Sequence, residues 1–390
     1  MEILFWLALA VVVYTYLGYG FLLFGLVKLK RMIKGKSSPP TITEYPEVTL
    51  VVAAYNEEDF IREKIENSLT LDYPADKINF LFVTDGSDDE TMDIIREYPE
   101  ITLYHKPERA GKIAAVNRIM PYVTSPITIF SDANTILNTD VIKNIVRHYE
   151  DKNVGGVAGE KRILKLDSDN ASGAGEGFYW RYESTLKKWD SELNSVIGAA
   201  GELFSVRTEL YETVNTNILI EDFYMSLKIA MQGYRFVYEP DAYACETASV
   251  NVKEELKRKV RISAGGLQAI MLLYPLLNIF KFGILSFQYM SHRAMRWTLA
   301  PISMGLLFIS NFWLAWHYQG FYDWVFGAQL LFYALVLIGK SIEDSKIRYK
   351  VFFIPYYFFM MNYSVLLGLV RLVKGKQTVI WEKAERRVNT

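Results

Sequence analysis

The sequence carries a single cysteine, Cys245, in 390 residues. That excludes an internal disulfide framework and suits a reducing compartment. Histidine is scarce too. His105, His148, His292 and His317 show no metal-ligand spacing and read as structural. Neither sign of charge is in excess: the formal net charge is −1, which gives no polyelectrolyte signal for nucleic acid. Internal repeats and low-complexity tracts are absent. Apolar residues, by contrast, make up 51% of the chain and aromatics 15%. They are unevenly placed, with residues 1–27 and roughly 267–373 strongly apolar and the middle ordinary globular sequence. Basic residues cluster beside the apolar stretches, which points to a membrane surface.

Ile3 to Val27 is long enough to cross a bilayer. A signal peptide fits poorly, because no basic region precedes the run and no small-residue cleavage site follows it. "KLKRMIKGK" (28–36) comes next. The positive-inside rule then sets the N-terminus outside and the middle segment in the cytoplasm, at the cell (inner) membrane of a multi-pass protein. Two further spans are expected at about Trp297–Trp316 and Phe321–Gly339. The last run, Val351–Val373, contains Pro355 and Asn362 and is flanked by basic residues. It reads as a re-entrant or interfacial hairpin rather than a crossing. "KEELKRKVRIS" (253–263) and the stretch 267–290 read as helices lying on the cytoplasmic face.

From residue 48 to about 165, apolar strands alternate with helical patterns. Strands are expected at "VTLVVAAY" (48–55), "INFLFVTD" (78–85), "ITLYH" (101–105) and "ITIFSD" (127–132). The helix "EEDFIREKIENSL" (57–69) should bury Phe60, Ile61, Ile65 and Leu69. The alternation predicts an α/β fold with a mostly parallel central sheet covered on both faces. In such sheets ligands gather beyond the carboxyl ends of the strands. Three of these strands end in polar clusters: "YNEE" (55–58), "TDGSDD" (84–89) and "SDAN" (131–134). One such ending is a turn; three in one sheet form a site. Asp85 and Asp132 each read locally as a turn acid or as a ligand-binding carboxylate. Asp222 reads either as the N-cap of the helix that Gly233 closes or as a reactive carboxylate.

Six motifs now stand in register over about residues 48–266: "VVAAYNEE", "TDGSDDET", "RAGKIAAVN", "FSDANT", "GAAGELFSVR" and "EDFYMSLKIAMQGYRFVYEPDA". In order and spacing they resemble the family-2 glycosyltransferases of GT-A fold. The membrane segments resemble those of hyaluronan, chitin and poly-N-acetylglucosamine synthases. The resemblance implies an inverting transfer of sugar from a nucleotide diphosphate donor, a UDP-sugar, to a glycan or lipid-linked acceptor at the bilayer. It places Ala53, Tyr55 and Glu57 around the nucleotide base and Asp85 on the nucleotide. It sets Lys112 near the donor and Asp222 in the role of catalytic base. Asp132 becomes the first acid of a DxD metal site for Mg²⁺ or Mn²⁺, with Asn134 offering a neutral amide oxygen at the third position. A divalent ion held by few carboxylates suits a diphosphate leaving group.

The sequence departs from the processive members at their QxxRW motif. The aligned stretch is "RKVRI" (258–262), with Arg258 for Gln and Ile262 for Trp. Arg261 keeps the arginine that would meet the diphosphate, with Arg258 beside the donor. The missing Trp keeps a single transfer to a lipid acceptor open. A non-catalytic nucleotide-sugar-binding subunit is the alternative of another class; the presence of Asp85, Asp132 and Asp222 speaks against it. A nucleotidylyltransferase would need a glycine-rich loop where "AAYNEED" (53–59) stands. The aromatic stretch 175–193 reads as core packing, with sugar stacking by Tyr179, Trp180 or Tyr182 as the alternative. The expected division is 1–27 transmembrane, 28–47 linker, 48–252 catalytic, 253–290 interfacial, 291–373 transmembrane and 374–390 a basic cytoplasmic tail.

Overall fold

The computed structural model describes residues 1–36, 40–164, 171–247, 252–342 and 349–375. The expected basic tail from 374 lies almost wholly outside them. The chain divides into two compact units. One draws on residues 29–164 and 187–248, the other on 1–28, 165–186 and 249–377.

The first unit is built on one sheet of eight strands: β1 (Val48–Ala54), β2 (Ile78–Asp85), β3 (Ile101–Lys106), β4 (Ile127–Asp132), β5 (Ile136–Leu137), β6 (Val154–Leu164), β7 (Leu203–Arg207) and β8 (Arg235–Thr247). Their order is β3-β2-β1-β4-β7-β6-β8-β5. The pairs β2–β3, β1–β2 and β1–β4 are parallel, so the expected parallel sheet holds through the first four strands. Beyond β4 the sheet is mixed: β4–β7, β6–β7 and β5–β8 are antiparallel, and β6–β8 is parallel.

The apolar run of β1, broken only by the buried Thr49, follows from burial on both faces. Val48, Leu50 and Val52 enter one core with Ile61, Ile65 and Ile145; Val51 enters the other with Val83, Ile113 and Val116. The helix Glu58–Leu69 differs from expectation in its rotation. Its buried stripe is Ile61, Lys64, Ile65 and Ser68, while Leu69 is 37% exposed. The turn is explained by partners for the two polar residues: Ser68 Oγ donates to the Lys64 carbonyl, and the Lys64 ammonium finds three oxygens behind β4.

The second unit is helical. Among the described residues four helices are long and apolar enough to cross a membrane: Glu2–Lys34, Leu299–His317, Phe321–Ser341 and Val351–Val373. The hairpin expected for 351–373 is not found; Lys350–Val373 is one helix with Pro355 in its second turn. The polar residue that suggested a break is satisfied within the unit. Asn362 donates to the Phe358 carbonyl at 3.0 Å and accepts from the Tyr16 hydroxyl. The two expected interfacial helices begin as one, Val252–Leu272; a turn at Tyr274–Leu277 and the short helix Ile279–Phe282 follow, and the chain is then helical from Ile284 to Trp297. Ser263 of helix Val252–Leu272 meets Ser364 at 3.2 Å. Glu183, buried, is bound by Arg293 and by Arg296 at 2.9 Å, so the unit pairs its buried carboxylate.

Candidate active site

Parallel pairing sets the three polar strand ends side by side. Ala53 is level with Val83 on one flank and with Asp132 on the other. The loops that follow are knit together by side chains. The Asn56 amide donates to Asp88 at 2.6 Å, and its carbonyl accepts the Asp88 N–H at 3.0 Å. The Glu57 N–H donates to Thr91 Oγ1 at 2.8 Å. Tyr55 lies under the Arg109 guanidinium, 3.5 Å from ring centroid to Cζ. Ala53, Tyr55 and Glu57 are thus brought to one edge as expected, with an arginine that the sequence reading did not single out.

Asp85 is 4% exposed. Its Oδ2 accepts the backbone N–H groups of Ala110 and Gly111 at 2.8 and 2.6 Å. That holds the loop ahead of helix Lys112–Ile119. Its Oδ1 makes no hydrogen bond, though Arg118 Nη1 stands 3.6 Å away. One carboxylate oxygen therefore holds the loop, and the other is buried facing the Arg118 guanidinium. Gly86, at φ +71°, is required beside it: a Cβ there would lie 2.7 Å from the Arg109 Cβ.

The loop delivers Lys112 to Asp132. Its Nζ donates to Asp132 Oδ1 at 2.6 Å and lies 3.5 Å from Glu221 Oε1. Burial pulls the Lys112 ammonium down, but Asp132 and then Glu221 outweigh it and hold the group well above the ordinary lysine value. The antiparallel pairing of Ser131 with Leu203 brings the loop before β7 to the same place. Gly201 of that loop fills the gap between cation and acid. A Cβ there would stand 3.3 Å from Lys112 Nζ and 3.4 Å from Asp222 Oδ2. The small residues of "GAAGELF" are explained by this approach.

Glu221 and Asp222 open the helix Glu221–Met231, whose N-cap is Ile220. The capping alternative for Asp222 therefore falls, since it stands inside the first turn. Burial pushes its carboxyl up, Glu221 adds to the rise, and Lys112 and the Phe223 amide oppose it; the result is about 7. A carboxylate that titrates near neutrality can take a proton from a hydroxyl and give it up again.

Asn134 follows Asp132 on the turn and lines a small pocket with Phe60, Glu63, Ile136 and Glu246. Among the described residues its buried Oδ1 has no hydrogen-bond partner. Among the described residues no three acids, histidines or cysteines form a metal cage. A hard cation shared with phosphates needs only one or two protein oxygens. Asp132 and the orphaned amide oxygen of Asn134 are donors of that kind, so the residues fit Mg²⁺ or Mn²⁺. Arg258 and Arg261 belong to the other unit, on helix Val252–Leu272, where Arg258 pairs with Glu255 at 3.1 Å.

Comparison with known proteins meets this geometry. The sequence profile of glycosyl transferase family 2 matches residues 49–214, the stretch that carries Asp85, Lys112 and Asp132. Residues 49–214 form a glycosyl transferase family 2 domain. Around this family 2 domain the likeness extends further. A probable glycosyltransferase of Bacillus subtilis, YdaM, is 26% identical over 88% of this chain and 87% of its own. The poly-beta-1,6-N-acetyl-D-glucosamine synthase of Staphylococcus aureus is 25% identical over 62% of this chain; the match spans 60% of that synthase. In structure, the chain is similar to a mannosyltransferase from Pyrobaculum calidifontis in complex with GDP-Man and Mn²⁺. That likeness has a TM-score of 0.72 at 23% identity and covers 96% of this chain and 100% of the other. It shows the fold of the chain to be GT-A-like.

Proposed function

We propose that this chain is a membrane-bound, inverting glycosyltransferase that moves a sugar from a UDP-sugar to a growing glycan or a lipid-linked acceptor. The observation that carries the reading is one cluster: Lys112 on Asp132 at 2.6 Å, with Glu221 at 3.5 Å from the same ammonium and Asp222 across Gly201. It offers a cation for a diphosphate and a base for a hydroxyl within one site. Ala53, Tyr55, Glu57 and Asp85 receive the nucleotide. Asp222 takes the proton of the acceptor hydroxyl as that oxygen forms its bond to the anomeric carbon. The bond from that carbon to the diphosphate breaks on the opposite face, and its electron pair leaves with the diphosphate. Lys112 faces the charge that grows there. Mg²⁺ or Mn²⁺, held by Asp132 and Asn134, would supply further neutralisation of that charge when bound.

The donor is cytoplasmic in this reading, because "KLKRMIKGK" closes the first apolar helix. Arg261, with Arg258, is assigned to the diphosphate on the likeness of "RKVRI" to the family motif alone. Ile262 in place of a tryptophan favours a second reading, a single transfer to a lipid-linked acceptor rather than processive synthesis. The test is nucleotide release by the purified full chain with Mn²⁺, over a panel of UDP-sugars with GDP-Man included. Release from a UDP-sugar supports the donor class. Release from GDP-Man alone replaces it, and no release from any donor returns the chain to a binding subunit.

A further inference from the structure

Lys64 is a charged residue in an apolar stripe. It lies between Ile61 and Ile65 on helix Glu58–Leu69 and is 0% exposed. Burying an ammonium costs several kcal/mol unless it is well paired. Yet among the described residues no carboxylate lies within ion-pair distance of it. Its acceptors are neutral: Ser131 Oγ at 2.7 Å, the Thr135 carbonyl at 2.9 Å and Thr135 Oγ1 at 3.3 Å. A methionine would fill the volume without that cost, so packing does not account for it.

What Lys64 touches does. Ser131 and Thr135 bracket the turn that carries Asp132 and Asn134. Thr135 Oγ1 donates to the Asp132 carbonyl at 2.8 Å, closing the turn on itself. Ser131 Oγ, accepting from Lys64, faces the Glu202 carbonyl at 3.2 Å, next to Gly201. One turn along the same helix, Asn67 grips Leu137 through its N–H at 2.8 Å and its carbonyl at 2.9 Å. The helix therefore clamps residues 131–137 from behind at two points. Burial draws the Lys64 ammonium down to about 7, and the charge of Asp132 pulls it the other way.

We propose that Lys64 is a positioning residue for the donor site: from behind β4 it fixes the Ser131–Thr135 turn so that Asp132 and Asn134 are presented, preformed, to a nucleoside diphosphate and its cation. The inference rests on the reading that such a donor binds at Asp132. It concerns a residue that touches neither donor nor acceptor.

The test is binding of UDP and of GDP, each with Mn²⁺, to the purified full chain by calorimetry, beside thermal unfolding. Lys64→Met is expected to weaken the nucleotide that the wild type binds by about tenfold or more, with unfolding at or above the wild-type temperature. A merely structural lysine would instead lower the unfolding temperature and leave the affinity of the folded fraction unchanged. Thr135→Val should weaken binding less. The double variant should bind no worse than Lys64→Met alone, because both changes release the same turn. Wild-type affinity in folded Lys64→Met, or losses that add in the double variant, would overturn the proposal. Should Lys64→Met fail to fold, Ser131→Ala removes the 2.7 Å acceptor at the cost of one oxygen and carries the same expectation; unchanged binding there overturns it equally. A wild type that binds neither nucleotide defeats the donor reading itself, and the inference with it.

Discussion

The pH dependence of transfer is the sharpest consequence of the site. Asp222 holds its proton up to about 7, through burial first and the charge of Glu221 second. A general base works only when ionised. With that value, roughly a tenth of the molecules are competent at pH 6 and roughly nine-tenths at pH 8. The ratio of rate to Michaelis constant for the free enzyme should therefore rise about tenfold over that interval, and then level off. An exposed aspartate would be ionised throughout and give a flat profile. Glu221→Gln removes the like charge, so Asp222 ionises more easily and the rising limb moves to lower pH. Asp222→Asn should keep nucleotide binding and lose about 10²–10⁴ in turnover. Stability carries the opposite sign to activity. The folded chain holds this proton more tightly than the unfolded one, so the contribution is full below the ordinary aspartate value and gone once pH passes about 7. Asp222→Asn is accordingly expected to unfold at a higher temperature than wild type at about pH 8, where the wild type must bury a charge. Nucleotide release measured across this range, beside calorimetric binding, reads all of these. A flat profile, or an Asp222→Asn variant with near-normal turnover, would refute the assignment and turn attention to Glu221.

Asp132→Ala should abolish transfer and cation-assisted nucleotide binding, which calorimetry with and without EDTA resolves. Asn134→Asp should retain transfer and bind Mn²⁺ more tightly, since it adds a charged oxygen at the same place; weaker binding would remove Asn134 from the cation site. Gly86→Ala meets the Arg109 backbone at 2.9 Å and a positive φ, so it should lower stability by about 1–3 kcal/mol and loosen the nucleotide loop. Arg261→Ala should cut transfer far more than membrane association, because many other basic and apolar groups hold the chain at a bilayer; equal losses in flotation and turnover assays would make it a membrane contact only.

The strand ends were legible because each signal was local. An apolar β-branched run followed by an acid is readable in one glance at "ITIFSD", and parallel pairing then brings such ends together without further information. Lys112 was found only through the order of the motifs, and the same order chose between the two local readings of Asp222, since nothing near either residue in sequence announces the other. Arg109 was missed for the same reason: its contact, Tyr55, lies beyond a different strand end. Lys64 was hidden by a different cause. Periodicity places a residue on a helix face by its polarity, and a buried lysine between Ile61 and Ile65 breaks that rule, which is why Phe60 and Leu69 were preferred for the interior. Pro355 misled as well. A proline near a helix start forfeits few internal bonds, and the neighbouring helices leave Asn362 satisfied.

Lys112 touches Asp132 on one side and faces Glu221 and Asp222 on the other. A single positive charge divided among three acids ties together events that would otherwise be independent. Whatever draws the ammonium toward the side of Asp132 leaves Asp222 with less opposing charge, and so with a greater appetite for a proton. Arrival of the leaving group is thereby felt as basicity at the acceptor side. A water molecule that strays in beforehand meets a weaker base than the hydroxyl that comes after the donor. In the proposed transfer reaction, that ordering keeps the two halves of the exchange in step.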